Sequence, residues 1–342
     1  MSPRGALDRV LVDVHERFTV PAVLSPRGGA WQGAHDLLAL PLGLRGPVER
    51  WRGDVGGAPV AVTCVGRPKR FRRMLRQWFG TPSLVTRAPR PCALHDPAAL
   101  EALGGDLLLA SIHPWAAARF RRAGWTIVPE AVRWTAPLAA VPPAEPAETL
   151  RSDFRKLASQ GWTREAGAAA GDWDQFFETM VFPAARARFG AEVWIPGRHL
   201  CTRLRRTGRL HFIRRGGERV AGFVLVTRGD RVWSPVLGVV QDRPELHRDG
   251  IATAIYDGIV REARLTGCAV LDVGRTAPFL ADGVQRVKRK WGFAPSRDRL
   301  AQLVAVRPAP GCAALAEVLA REPLLAQDER GALTPWPGPR PR

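Results

Sequence analysis

The sequence predicts an α/β protein, of the α+β kind, built as two domains, and three observations carry that prediction. First, Pro142, Pro143 and Pro146 stand among small and acidic residues over 141–149. Proline fixes φ and removes a donor, so this stretch reads as an extended linker. Second, Leu210–Arg214, Arg219–Thr227 and Arg231–Val240 have strand composition, and Gly216-Gly217 and Gly229-Asp230 separate them as a meander requires. Third, a glycine turn then leads into helix, strand, helix and strand over Gly250–Leu265, Ala269–Gly274, Ala281–Trp291 and Arg299–Val306. The expected domains are 1–140 and 150–310, joined by the linker 141–149, with a terminal helix and loose tail over 311–342. The second domain is expected to hold a mixed, mostly antiparallel sheet flanked by helices.

Before the linker, Pro59–Val65 reads as a strand, with proline tolerated at its first position. Phe71, Met74, Leu75, Trp78 and Phe79 recur at helical spacing and form one apolar stripe, while Arg70, Arg72, Arg73 and Arg76 take the other faces. Asp106–Ile112 reads as a strand, Pro114–Ala123 as a helix with proline in its first turn, and Thr126–Leu138 as extended chain. After the linker, Glu148–Gln160, Trp173–Phe189 and His199–Arg206 are expected as helices, the second kinked or split at Pro183. Cys312–Ala326 is expected as a terminal helix. The prolines that follow Thr334 exclude a further helix or central strand.

Composition narrows the function classes. Hydrophobic residues make up 46% and charged residues 24%, as in a soluble globular protein. No apolar run approaches the roughly 20 residues of a membrane span. Arg4, Asp8, Arg9, Asp13, Glu16 and Arg17 interrupt the apolar stretch that a signal peptide would need, so a cytoplasmic protein is expected. Five scattered cysteines without a C-x-x-C argue against a disulfide framework and a zinc site, and no metal is expected. The net charge is +19, yet only four of the 51 basic residues are lysines, and the excess is spread along the chain. That pattern is a compositional bias before it is a nucleic-acid footprint; no DNA partner is expected. The clusters Arg67–Arg76 and Arg286–Lys290 read first as solvated helix faces and second as tRNA contacts.

Chemistry concentrates in two short segments. His247-Arg248-Asp249-Gly250-Ile251-Ala252 lies between a strand and a helix. Small residues there let the backbone approach a pyrophosphate, whose oxygens the amides of the helix N-terminus bind; the competing reading is a plain tight turn. Farther on, Leu271-Asp272-Val273-Gly274-Arg275 ends a strand, and Lys288-Arg289-Lys290-Trp291-Gly292-Phe293 ends the helix after it. This order and these residues resemble the GNAT acyltransferase superfamily, whose cofactor loop is written Gln/Arg-x-x-Gly-x-Gly/Ala; His247 stands where the family has Gln or Arg. The Asp-x-Gly-Arg and Lys-x-Lys-Trp-Gly segments, with the basic helix Arg151–Gly161, resemble its Fem-type branch. That branch has two GNAT-like domains in tandem and includes tRNA-dependent transferases.

The resemblance implies direct attack of an amine on a bound acyl donor, with no nucleophilic Ser or Cys. Its donor would be acyl-CoA, held by Val239, His247, Arg248, Gly250, Ile251, Ala252 and Lys288, with the strand around Pro235 splayed to admit pantetheine. As general base it implies Asp272 first and His211 second; capping of a turn and outward orientation are their structural counterparts. Tyr256 lies on the following helix, where packing is expected. Three functions follow: N-acyl transfer from acyl-CoA to an amine of a small molecule or peptide, aminoacyl-tRNA-dependent transfer, and non-catalytic ligand binding through the same cleft.

Overall fold

The computed structural model describes residues 45–66, 68–88, 91–189, 198–241, 243–298, 302–336 and 338. Its main elements run β1 (Val48–Val55), β2 (Ala58–Val65), α1 (Pro68–Phe79), β3 (Ser83–Arg87), β4 (Leu107–Ile112), α2 (Ala117–Arg122), β5 (Thr126–Pro129) and β6 (Val132–Pro137). Then follow α3 (Glu148–Ser159), β7 (Thr163–Gly167), α4 (Ala170–Gln175), a π-helical turn (Phe176–Val181), α5 (Phe182–Phe189) and α6 (Arg198–Thr207). The second meander and its sequel are β8 (Arg209–Arg215), β9 (Glu218–Arg228), β10 (Arg231–Trp233), β11 (Leu237–Val239), α7 (Pro244–Arg248), α8 (Ile251–Arg264) and β12 (Val270–Thr276). The chain closes with α9 (Gly283–Lys290), β13 (Leu303–Pro308), α10 (Ala313–Arg321), β14 (Leu324–Gln327) and β15 (Leu333–Trp336). No helix of the described residues is long and apolar enough to cross a membrane.

Two compact bodies interleave along this order. One takes Arg133–Gly274 and Val287–Ala294; the other takes the described residues before Arg133, then Arg275–Arg286 and the chain from Pro295. In the latter, the sheet order is β3-β1-β2-β4-β13-β5, with β2 and β4 parallel and β13 antiparallel to both its neighbours. The stripe expected on α1 is buried: Phe71, Leu75 and Trp78 pack with Val62, Leu109, Val304 and Val306 on one sheet face, beside Leu315 and Val318 of α10. The opposite face buries Leu108, Ala110, Phe120, Trp125, Leu303 and Ala305.

The strand expected over Arg299–Val306 therefore forms, as Leu303–Pro308, but in this sheet and not after β12. Leu303 and Ala305 are buried on one face and Val304 and Val306 on the other. A strand apolar on both faces needs a central place in a sheet covered on both sides, and it has one between β4 and β5. The terminal helix ends at Arg321, and Leu324–Gln327 pairs with Leu333–Trp336 as a two-stranded ribbon. Pro335 is accommodated because such a ribbon has open edges.

In the other body the sheet order is β6-β12-β10-β9-β8-β7, and β11 also pairs with β9. Pairing is antiparallel for β7/β8, β8/β9, β9/β10 and β9/β11, and parallel for β10/β12. One face is covered by α4, the π turn and α6, whose Trp173, Phe176, Phe177, Met180 and Leu204 pack on Leu210, Phe212, Val224 and Val226. α8 covers the other face: a side chain at Gly258 would strike Phe223 and Ile213. The helix expected as Trp173–Phe189 is one continuous run of three segments, in which Pro183 falls in the first turn of α5, directly after the π turn. The proline segment is docked, not free: Val141 is fully buried and its carbonyl accepts from Arg264 at 2.7 Å.

Candidate active site

The site is built where one strand breaks. β10 pairs with β12 from Arg231/Val270 to Trp233/Asp272, and Ser234 N–H then donates to Asp272 O at 2.8 Å. Beyond that bond the two strands part. Val226 pairs with Trp233 and Val224 N–H donates to Val236 O, so Ser234 and Pro235 together face the single residue Leu225. One strand carries an extra residue, a β-bulge, and β11 continues on β9 alone. Val240 N–H donates to Val220 O at 3.0 Å, which fixes the hydrogen-bonded pairs as 220/240, 222/238 and 224/236. By antiparallel alternation, the peptide groups of Leu237 and Val239 face away from β9, toward the gap left by β12. Gln241 Nε2 reaches the Val239 carbonyl at 3.1 Å, while the Val239 N–H has no backbone acceptor among the described residues. Trp233 Nε1 and Ser234 Oγ, both at the break, are buried without a hydrogen-bond partner among the described residues.

The Gly250 loop lies at the start of α8. Gly250 is its N-cap, at φ +94° and ψ 26°, a left-handed conformation that favours glycine, and apart from its chain neighbours no atom of the described residues lies within 4 Å of where a side chain would begin. α8 has no acidic residue in its first turn, and His247 and Arg248 are exposed beside it. Two carboxylates do lie close, and each has its own cation. Asp249 accepts from Arg215 at 2.5 Å, and Arg215 also reaches Gln160 Oε1 at 2.6 Å and lies over the Trp162 ring at 5.2 Å. Asp153 of α3 accepts from Thr253 at 3.1 Å and pairs with Lys290. With both acids compensated, the helix N-terminus and Arg248 retain an excess of positive potential.

Residues 147–289 match the model of the acetyltransferase (GNAT) domain family. This segment, less than half of the chain, is a GNAT-type domain. Among solved structures, it is similar to the C-terminal DUF2156 domain of a putative lysylphosphatidylglycerol synthetase from Agrobacterium fabrum, at 16% identity and TM-score 0.38, over 82% of this chain and 90% of that one. It is also similar to a GCN5-related N-acetyltransferase from Kribbella flavida, at 17% identity and TM-score 0.31, over 81% and 94%. A GNAT family acetyltransferase from Elizabethkingia anophelis with acetyl-CoA bound is similar at 11% identity and TM-score 0.30, over 44% of this chain and 100% of that one. No curated protein matches the sequence. The domain matched over residues 147–289 contains every expected site residue, and it marks the chain as an acyltransferase.

Asp272 ends the paired part of β12 and is 3% exposed. Arg133 donates to its Oδ2, and its Oδ1 accepts the Gly274 N–H at 2.9 Å, so both oxygens are engaged. Lys288 is buried, and its Nζ donates to Gly274 O at 3.3 Å. Asp272 and Lys288 therefore grip the same glycine, one at its N–H and one at its carbonyl. His211 is elsewhere. It pairs with Phe223, which shares a face with Thr227 and, through the register, with Val232 and Leu271; Asp272 is on the opposite face. The His211 ring stacks on Phe223 at 5.1 Å, with Nδ1 at 3.8 Å from Glu262 of α8. The sheet thus separates the two expected bases. Tyr256 is buried against Trp291 at 5.9 Å, and burial pushes its phenol well above its ordinary pKa, in keeping with packing.

Three residues escaped the sequence. Arg133 is 139 positions from Asp272 and precedes the proline segment, so no local pattern joins them. Trp162 and Arg215 flank the loop from two separate strand ends. Of the basic run Arg286–Lys290, Lys288 is buried and Lys290 is paired with Asp153, which removes both from the solvated face that periodicity implied.

Proposed function

We propose that the chain moves an acyl group from acyl-CoA to an amine of a small molecule or peptide by direct attack. The observation that supports this most is the parting of β10–β11 from β12, with the outward peptide groups of Leu237 and Val239 on one side of the gap. In this reading the amides of Ile251 and Ala252, with Arg248 and His247, hold the pyrophosphate at the start of α8, and Gly250 gives it room. Val239 N–H hydrogen-bonds the pantetheine arm, and Trp162 over Arg215 offers a flat cationic surface to the nucleotide end. Bound acyl-CoA supplies an electrophilic thioester carbonyl and a thiolate leaving group. Trp233 Nε1 and Ser234 Oγ are buried donors at the break, where an acyl oxygen or acceptor would satisfy them. Asp272 is our candidate for taking the ammonium proton, with Arg133 and the Gly274 N–H orienting its carboxylate. His211, on the other face, is not part of this reading.

Ala252→Asp tests the donor site. An acid in the first turn favours helix formation by about 0.3–1 kcal/mol, so the fold is kept while a phosphate is repelled. Calorimetry is expected to show CoA binding to the wild type and at least tenfold weaker binding to the variant, at an unchanged or higher Tm. Absence of wild-type binding, or affinity equal in both, ends the acyl-CoA reading. Native mass spectrometry of the purified chain addresses the rival donor: retained aminoacyl-tRNA in place of CoA would make it a tRNA-dependent transferase.

A further inference from the structure

The body that contains β1–β5 has a groove of about 530 Å³ on the sheet face turned away from α1. Its floor comes from cross-strand neighbours on β1 and β2: Arg50 stands opposite Thr63, and Arg52 opposite Ala61. One wall is the loop Leu103–Asp106. The other is Val85 of β3. There the register passes from Arg50/Thr86 to Trp51/Leu84, so Val85 is the extra residue of a β-bulge, and it is 59% exposed. Bulges re-aim a side chain, and this one faces the groove.

The polar groups of the groove divide sharply. Thr63 Oγ1 donates to Gly104 O at 2.7 Å, and Asp106 Oδ2 accepts the Ala61 N–H at 2.7 Å. Those bonds fasten the wall to the floor. Arg50 gives one donor to Leu103 O at 2.9 Å, which fixes its direction and leaves most of its five N–H groups. Arg50 and Arg52 are exposed, and neither makes an ion pair among the described residues. Alternate residues of one strand lie about 7 Å apart, so two like charges share one face at short range. A tetrahedral oxyanion between them offers oxygens to both guanidinium forks, which a single planar carboxylate does not.

We propose that this groove binds a small phosphorylated molecule, its phosphate between Arg50 and Arg52 and its apolar part against Val85 and Pro59. The site is independent of the acyl-donor cleft. The test is calorimetry at low salt on the full chain, with inorganic pyrophosphate as the probe and succinate as a dicarboxylate comparison. Titrations are run in the wild type and in Ala252→Asp, in which the start of α8 is closed to phosphate. Pyrophosphate is expected to bind in both backgrounds, at least tenfold more weakly once Arg50→Gln and Arg52→Gln are added, and to weaken with salt. Val85→Asp, an exposed change that leaves both arginines, should also weaken binding. The proposal is overturned by loss of all binding in Ala252→Asp alone, by binding that survives the double arginine variant, or by succinate binding as tightly as pyrophosphate.

Discussion

Burial holds the His211 imidazole below its ordinary pKa of 6.5: desolvation outweighs the attraction of Glu262, and Arg164 and Arg209 act with desolvation. The unfolded chain therefore binds a proton at this residue under conditions where the native chain does not. Stability from this source is whole above the ordinary imidazole range and is lost as the pH falls through it. His211→Phe keeps a ring on Phe223 and removes the titration. The difference between urea midpoints at pH 7.5 and pH 5.5 is expected to shrink in the variant; an unchanged difference would assign the slope to other groups. At this scale the sequence was legible where a motif is local. Asp272, Gly250 and Lys288 stand in short segments with a recognisable order, and all three occupy structurally specific positions. The face taken by His211 was not legible, because β8 is buried on both sides: Leu210 and Phe212 point one way, His211 and Ile213 the other. Alternation names a face only where one side is wet.

The elements were readable to the extent that their period was regular. The meander, α8, β12 and α9 follow from glycine turns and apolar spacing, and Pro235 marked the bulge at which the site opens. The π turn at Phe176–Val181 was hidden, since one inserted residue shifts a helix without changing its composition. Its packing is tight: a side chain on Gly238 of β11 would come to 2.7 Å from the Met180 carbonyl carbon. Gly238→Ala is accordingly expected to destabilise by roughly 1–3 kcal/mol, the usual range for overpacking. Chemical denaturation measures it, and wild-type stability in the variant would mean that the π turn yields to the added methyl group.

The whole molecule departs most from what the sequence led one to expect, because β13 looks like the next strand after α9 yet completes the sheet that β1 begins, entering between β4 and β5, where Leu303 pairs with Ile112 and Pro129. Pattern fixes a strand's period, not its partner. A chain cut after Asp298 would leave β4 and β5 with a row of unpaired backbone groups in place of a centre. Hydrogen exchange on that truncation should find Leu107–Ile112 unprotected while Arg209–Arg215 remains protected; protection of both would show that the sheet closes without β13. The same crossing sets a timetable during synthesis. Ribosomes add roughly 5–20 residues per second, so on the order of ten seconds or more separates the appearance of β4 from that of its neighbour β13. Through that interval β4 presents an open sheet edge to any strand in the cell, and the sheet of β1–β5 is finished only after every strand of the β7–β12 sheet has been made.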